Sequence, residues 1–330
     1  MRAIQITDLS GPDTALREVE VPEPEASHML TPGSGVLVDV EAAGVSFPEV
    51  LQTRGEYQIK PPLPFVPGSE VAGIVRSAPD GAGFSAGDRV AAFPMLGGFA
   101  EVAVAPPWLT FKLPDELDFE QGAALILNYH TAWFSLVIRG RLKAGETALV
   151  HGAAGGVGTA SIQVAKGVGA TVIAVVSTAE KERVAREAGA DEVVRSDGEW
   201  RDEAKELSGG GVDLVLDPVG GDRFTDSLRS LAEGGRLVVV GFTAGSIPEV
   251  KVNRLLLNNT EVIGAGWGAY VIAKPDTNRQ IGAEIAKLIG SGQVRPLVGA
   301  GFPLSSAGAA EALNLIDGRG ATGKVVLDVA

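Results

Sequence analysis

The sequence predicts an α/β protein in which a small β-barrel-like unit is followed by a doubly wound parallel sheet. Three observations carry this. The first third is rich in proline and glycine and holds short apolar runs. The middle third alternates apolar runs with amphipathic ones, the pattern of β and α elements packed in layers. Between them, Ala148-Leu149-Val150-His151 runs into Gly152-Ala153-Ala154-Gly155-Gly156-Val157-Gly158, an apolar strand that breaks into glycines and opens a helix.

Taken in order, residues 36–40, 71–75 and 89–93 read as short strands separated by turn residues. Val157, Ala160, Val164 and Val168 recur at helical spacing after the glycines. Residues 171–176 form a second strand, followed by a helix over 179–188, for which Ser177 and Glu180 are spaced as a capping box. A short strand at 191–194 and buried strands at 212–216 and 236–240 follow, with Phe224, Leu228 and Leu231 on one face of an intervening helix. Residues 260–266 read as a strand at the edge of this sheet, an apolar edge suited to pairing in a homodimer. Ile281, Ile285, Leu288 and Ile289 mark one more helix, and residues 324–329 a final strand. The domains expected are 1–122, 123–265 and a C-terminal return, 266–330, to the first.

Length and charge narrow the function. A chain of 330 residues is long for one core. With 41 Asp and Glu against 28 Lys and Arg, its net charge of −13 disfavours nucleic acid and anionic membranes as partners. The absence of cysteine excludes disulfides and thiolate metal sites. No secretory leader and no apolar run of roughly 20 residues is visible, so a cytoplasmic protein is expected.

Strand, glycine turn and helix in that order suit a dinucleotide, whose pyrophosphate needs close backbone approach and the helix N-terminal amides. Ala154, Gly155, Gly156, Val157 and Gly158 are the residues expected to meet it. Ala153 stands where the first glycine of the usual pattern would be. An acid holding the ribose 2′-hydroxyl is expected about 20 residues on; Ser177 and Thr178 stand there instead. With Lys181 and Arg195 as local cations, that favours NADPH over NADH. Lys181 as a solvated helix residue and Ser177 as a plain cap are the alternatives.

Residues 43–49 (Ala-Gly-Val-Ser-Phe-Pro-Glu), 64–73 (Pro-Phe-Val-Pro-Gly-Ser-Glu-Val-Ala-Gly), 128–133 (Asn-Tyr-His-Thr-Ala-Trp), the glycine loop and 217–221 (Asp-Pro-Val-Gly-Gly) together resemble a zinc-free medium-chain dehydrogenase/reductase of the quinone oxidoreductase type. The resemblance spans essentially the whole chain. It implies a GroES-like catalytic domain, a Rossmann domain between its two parts, and a homodimer. Zinc alcohol dehydrogenases of that superfamily place ligands at what look like Ser46 and Ser69; here both are serine, and His28, His130 and His151 are scattered, so no metal is expected. The resemblance also implies that Asn128 and Thr131 lie near the nicotinamide ribose, that Gly241 and Phe242 border the cofactor, and that Arg319 reaches its phosphate. For Asn128 and Thr131 the alternative is capping of the helix that carries Trp133, and for Arg319 a surface charge. Ser46 stands where relatives commonly have asparagine, and Leu51 where some have tyrosine, while Tyr57 keeps its family position.

Without zinc as a Lewis acid, the substrate must delocalise its own developing charge, as quinones and conjugated enones do. The leading expectation is an NADPH-dependent reductase of quinones or similar conjugated carbonyl compounds, with Ser46 and Tyr57 at the reacting centre. Tyr57 either donates a proton or only lines the pocket. An enoyl-thioester or enone carbon–carbon reductase is the second reading, and a non-catalytic NADPH-binding protein the third.

Overall fold

A computed structural model describes residues 1–329. It divides into two compact units: the first comprises Met1–Leu127 and the chain from Pro296 onward, the second Asn128–Arg295.

In the first unit, β1 (Arg2–Ile6) and β2 (Leu16–Glu20) pair as an antiparallel ribbon. β3 (Val36–Val45) leads into the short helix α1 (Phe47–Gln52), followed by β4 (Glu70–Ser77), β5 (Arg89–Ala92), β6 (Val102–Ala105), β7 (Thr110–Lys112) and α2 (Phe119–Gly122). β3 is the organising strand, antiparallel to β4 along its length and to β6 at its start. Its alternating valines, Val36, Val38 and Val40, enter a core with Val71, Val90, Phe99 and Val325.

The second unit contains α3 (Thr131–Trp133), β8 (Thr147–His151), α4 (Gly156–Val168), β9 (Thr171–Val176), α5 (Ala179–Glu187), β10 (Glu192–Arg195), α6 (Trp200–Leu207), β11 (Val212–Asp217), α7 (Phe224–Ser230), β12 (Leu231–Val239), α8 (Asn253–Asn258), β13 (Glu261–Gly264), α9 (Trp267–Ala273) and α10 (Pro275–Gly290). Its six strands are all parallel in the order β10-β9-β8-β11-β12-β13. The chain reverses direction across the sheet between β8 and β11. In doubly wound sheets ligands bind outside the carboxyl ends of the strands at such a point. β13 is the sheet edge, as its sequence suggested.

The chain then re-enters the first unit with β14 (Val298–Pro303), α11 (Ser306–Asp317) and β15 (Lys324–Asp328), which lies antiparallel to the end of β3. The return therefore begins at Pro296 rather than at residue 266. The reason is packing: α10 buries Ile281, Ile285 and Leu288 in the second unit, where Leu288 sits so close to Gly167 of α4 that a Cβ there would meet its Cδ2 at 2.8 Å. The join between the units likewise falls at 127/128, not 122/123.

α5 corrects the cap. The helix starts at Ala179, so its cap is Thr178, whose hydroxyl accepts from Lys181 N at 3.2 Å. Ser177 is one residue outside the helix, and no box with Glu180 forms. α4 differs from its one-sided pattern too: Gly158 through Ala165 are buried all round.

Candidate active site

In the second unit the site grows from the end of β8. His151 closes the strand, 1% exposed, with Nε2 at 2.8 Å from Ser227 Oγ and its ring edge-on to Trp200 at 5.0 Å. Burial lowers its pKa to about 4, so it packs as a neutral side chain. Gly152 then turns the chain with φ 59°, and α4 starts at Gly156 with Gly155 as its cap. No side chain caps this end, leaving the first amides to whatever anion binds there. Two glycines are required by contact. A Cβ on Gly158 would lie 2.2 Å from Gly152 O, and one on Gly156 would lie 2.7 Å from Asn128 Nδ2. Gly155 is not so constrained, its nearest such contact being 3.5 Å. Ala154 is buried beneath the turn and Val157 half-buried in the first turn of α4.

Asn128 and Thr131 are buried, 5% and 7% exposed. They lie where the helical backbone widens, since Ile126–His130 and Phe134–Arg139 wind in π form on either side of α3. Such widening is frequent at functional sites. Asn128 caps no helix; its amide rests on the first turn of α4 instead. Phe242, exposed past the end of β12, lies against Gly220, whose Cβ would meet Phe242 Cδ1 at 3.0 Å. Gly241, half-buried, precedes it.

At the end of β9 the three residues expected at a 2′-phosphate come together. Arg195 Nη2 donates to Ser177 O at 2.7 Å, and Lys181 Nζ lies 3.5 Å from Ser177 Oγ. Displacement of the cap to Thr178 leaves the Ser177 hydroxyl outside the helix and exposed. Arg195 Nε is buried without a hydrogen-bond partner, 3.7 Å from Asp197 Oδ1. A half-exposed guanidinium beside an exposed hydroxyl and an ammonium suits a phosphate with several oxygens. Arg319 belongs to the first unit, exposed in the turn after α11 with φ 57°.

In the first unit the end of β3, the start of α1, β4 and β15 meet in a buried polar cluster. The register sets Gly44 opposite both Glu70 and Val326. Lys324, 3% exposed, donates from Nζ to Glu70 Oε2 and to Ser46 Oγ, both at 2.8 Å. The other oxygen of Glu70 accepts from Leu127 N at 2.8 Å. Glu49, fully buried, accepts from Ser46 N at 2.9 Å, Ser69 N at 3.0 Å and Ser69 Oγ at 2.6 Å. Burial raises the pKa of both carboxyls, against the pull of Lys324 and their hydrogen bonds. Gly44 makes room, for a Cβ there would sit 2.6 Å from Lys324 Cε and 2.3 Å from Ala123 O. Ser46 and Ser69 are thus tied into a carboxylate and ammonium network. Among the described residues no group of three or more His, Cys, Asp or Glu is arranged to hold a metal ion.

Tyr57 follows α1, half-buried, and burial together with the charge of Glu49 raises its phenol pKa, so the hydroxyl stays protonated as a donor. Glu49, Glu70 and Lys324 escaped the sequence reading. For Glu70 and Lys324 the signal was a charge at the start of an otherwise apolar strand, before Val-Ala-Gly and Val-Val-Leu; for Glu49 it was the Ser-x-x-Glu spacing from Ser46.

Residues 32–115 match the alcohol dehydrogenase GroES-like domain and residues 156–287 the zinc-binding dehydrogenase family. Quinone oxidoreductase of Rattus norvegicus is 36% identical over 333 residues, covering 99% of this chain and 97% of the relative. A probable oxidoreductase from Mycobacterium abscessus superposes with a TM-score of 0.86 at 44% identity, covering 100% of this chain and 99% of the other. Quinone oxidoreductase from Escherichia coli, solved in complex with NADPH, superposes with a TM-score of 0.88 at 30% identity over the whole of both chains. Among the described residues no helix is long and apolar enough to cross a membrane.

Proposed function

The chain belongs to the quinone oxidoreductase family of medium-chain dehydrogenases/reductases, and from that premise we propose that it reduces quinones and related conjugated carbonyl compounds with NADPH and without a metal. The observation that carries the reaction class is the cluster around Lys324. The positions where zinc relatives place ligands are serines, already hydrogen-bonded to Glu49 and Lys324. What the centre offers a substrate oxygen is therefore hydroxyl donors, Ser46 and the protonated Tyr57, rather than a Lewis acid. Hydroxyl donors suffice where the substrate spreads its own charge, as a quinone does on becoming aromatic. Bound NADPH supplies the hydride.

The cofactor's pyrophosphate suits the uncapped start of α4, formed by Ala154, Gly155, Gly156, Val157 and Gly158, with Asn128 and Thr131 alongside and Gly241 and Phe242 at the neighbouring strand ends. Ser177, Lys181 and Arg195 would hold the 2′-phosphate, and Arg319 is proposed to reach a cofactor phosphate. A homodimer joined through the β13 edge is supported by that strand's place in the sheet and by the exposed Leu256 and Leu257 on α8 just before it. A cytoplasmic setting is part of the same proposal. A panel of benzoquinones, naphthoquinones, alkyl enones and an enoyl thioester, with NADPH oxidation followed at saturation, tests the substrate class. Quinones should give the highest kcat/KM. Preference for the thioester would move the assignment to carbon–carbon double bonds, and tight NADPH binding with no turnover to a non-catalytic role.

A further inference from the structure

A buried ammonium is costly unless something requires it, because desolvation opposes its charge even when it is paired. Lys324 is such a group. It opens β15, it is 3% exposed, and the facing strand gives up a side chain at Gly44 to admit its stem. Glu70, fully buried and 254 residues away in sequence, holds it from one side. A second unusual feature lies at Ser46. A serine capping a helix ordinarily accepts from an amide of the first turn. Ser46 does so in a reciprocal capping box with Glu49 at the start of α1, and beyond that its hydroxyl accepts from Lys324. With a lone pair committed to the ammonium, the hydroxyl hydrogen is directed elsewhere, and no acceptor among the described residues takes it. Ser46 is half-buried, so that hydrogen has an open side to face.

We propose that Lys324 is a positioning residue for the reduction: anchored by Glu70, it holds the Ser46 hydroxyl as a polarised donor to the substrate oxygen that gains negative charge. This rests on the quinone reductase reading and names the device by which a centre built from hydroxyls supplies positive potential. Charges facing the ammonium are Glu70 in direct contact and Glu49 through space, both fully buried. The donor is therefore backed by the ammonium in direct contact, while the Glu49 carboxyl is already engaged by Ser46 N, Ser69 N and Ser69 Oγ.

The test reads ionisation, not turnover. 4-Nitrophenol, whose phenolate absorbs in the visible, mimics an oxygen bearing developing charge and is titrated against the full-length protein in the presence of NADP+. The unaltered protein should shift the bound phenol toward phenolate by about tenfold or more, one pKa unit. Ser46→Ala, which leaves the Lys324–Glu70 pair intact, should abolish the shift. Lys324→Met combined with Glu70→Gln, which avoids stranding a buried carboxylate, should do the same while kcat for a good quinone falls more than KM changes. No binding, an unmoved phenol in the unaltered protein, or a shift that survives both variants would each overturn the assignment. A shift that depends on Ser46 and Lys324 in a protein that reduces no quinone would sustain the device and remove the quinone reading instead.

Discussion

The two units build their candidate sites by opposite means. At the start of α4 the second unit works by subtraction: Gly156 and Gly158 remove side chains so that Asn128 and the Gly152 carbonyl can approach, and the helix start is left uncapped. The first unit works by accumulation, packing Glu49, Glu70 and Lys324 into an interior where each alone would be destabilising. The difference teaches where each site is vulnerable. The glycine site fails by steric intrusion, whereas the polar cluster fails by loss of a partner.

Steric intrusion should give the largest effect. Gly158→Ala places a Cβ 2.2 Å from a backbone oxygen, and neither atom can yield cheaply. We expect a loss of about 3 kcal/mol or more in stability, or NADPH affinity weakened beyond measurement, by calorimetry and thermal melting. Gly155→Ala, with φ −82° and only a 3.5 Å contact, should bind NADPH nearly normally. Equal damage from both would break the contact argument.

Next comes the cofactor preference. Ser177→Asp sets an acid where Lys181 and Arg195 converge and should reverse a preference for NADPH of about 1–3 kcal/mol, as read from the two dissociation constants. Arg195→Ala should erode it without reversing it. Equal affinities for NADPH and NADH in the unaltered protein would refute the assignment.

A buried neutral histidine sharpens the contrast with the buried charges. His130, 2% exposed, meets Asn278 Oδ1 at 2.7 Å through Nδ1, and burial lowers its pKa to about 4. The unfolded chain, with the ordinary value of 6.5, then binds more protons between these limits. Stability present above pH 6.5 is lost as pH falls toward 4, about 2 kcal/mol from this group between pH 7 and 5. The loss read from urea midpoints should shrink by that amount in His130→Gln, the remainder coming from His151 with its similarly lowered pKa.

The smallest effect is expected at Tyr57. For a quinone, whose reduced oxygen is a stabilised phenolate, Tyr57→Phe should lower kcat by less than about tenfold. A loss beyond about a hundredfold would mark general acid catalysis.

How much of this was legible follows from the range of the interactions. The glycine loop is local, and its spacing with the flanking strand and helix carried both the element and its expected ligand. The convergence of Ser177, Lys181 and Arg195 was also legible, since parallel neighbours β9 and β10 end side by side. The cap of α5 was misplaced by one residue because serine and threonine at 177 and 178 are equally good caps in isolation. The helix at 275–290 was assigned to the wrong unit because periodicity shows that a face is apolar, not what covers it. Lys324 and Glu70 were invisible as a pair, for only the antiparallel registers of β15 and β4 on β3 bring them together.

The central claim is that the first unit serves hydride transfer with hydroxyls backed by an ammonium in place of a metal. Its most direct test is quinone reduction by NADPH before and after exhaustive chelation, with metal content measured on the same samples. The account predicts no stoichiometric metal and unchanged kcat/KM. Activity that disappears with a chelated ion and returns when zinc is restored would contradict it.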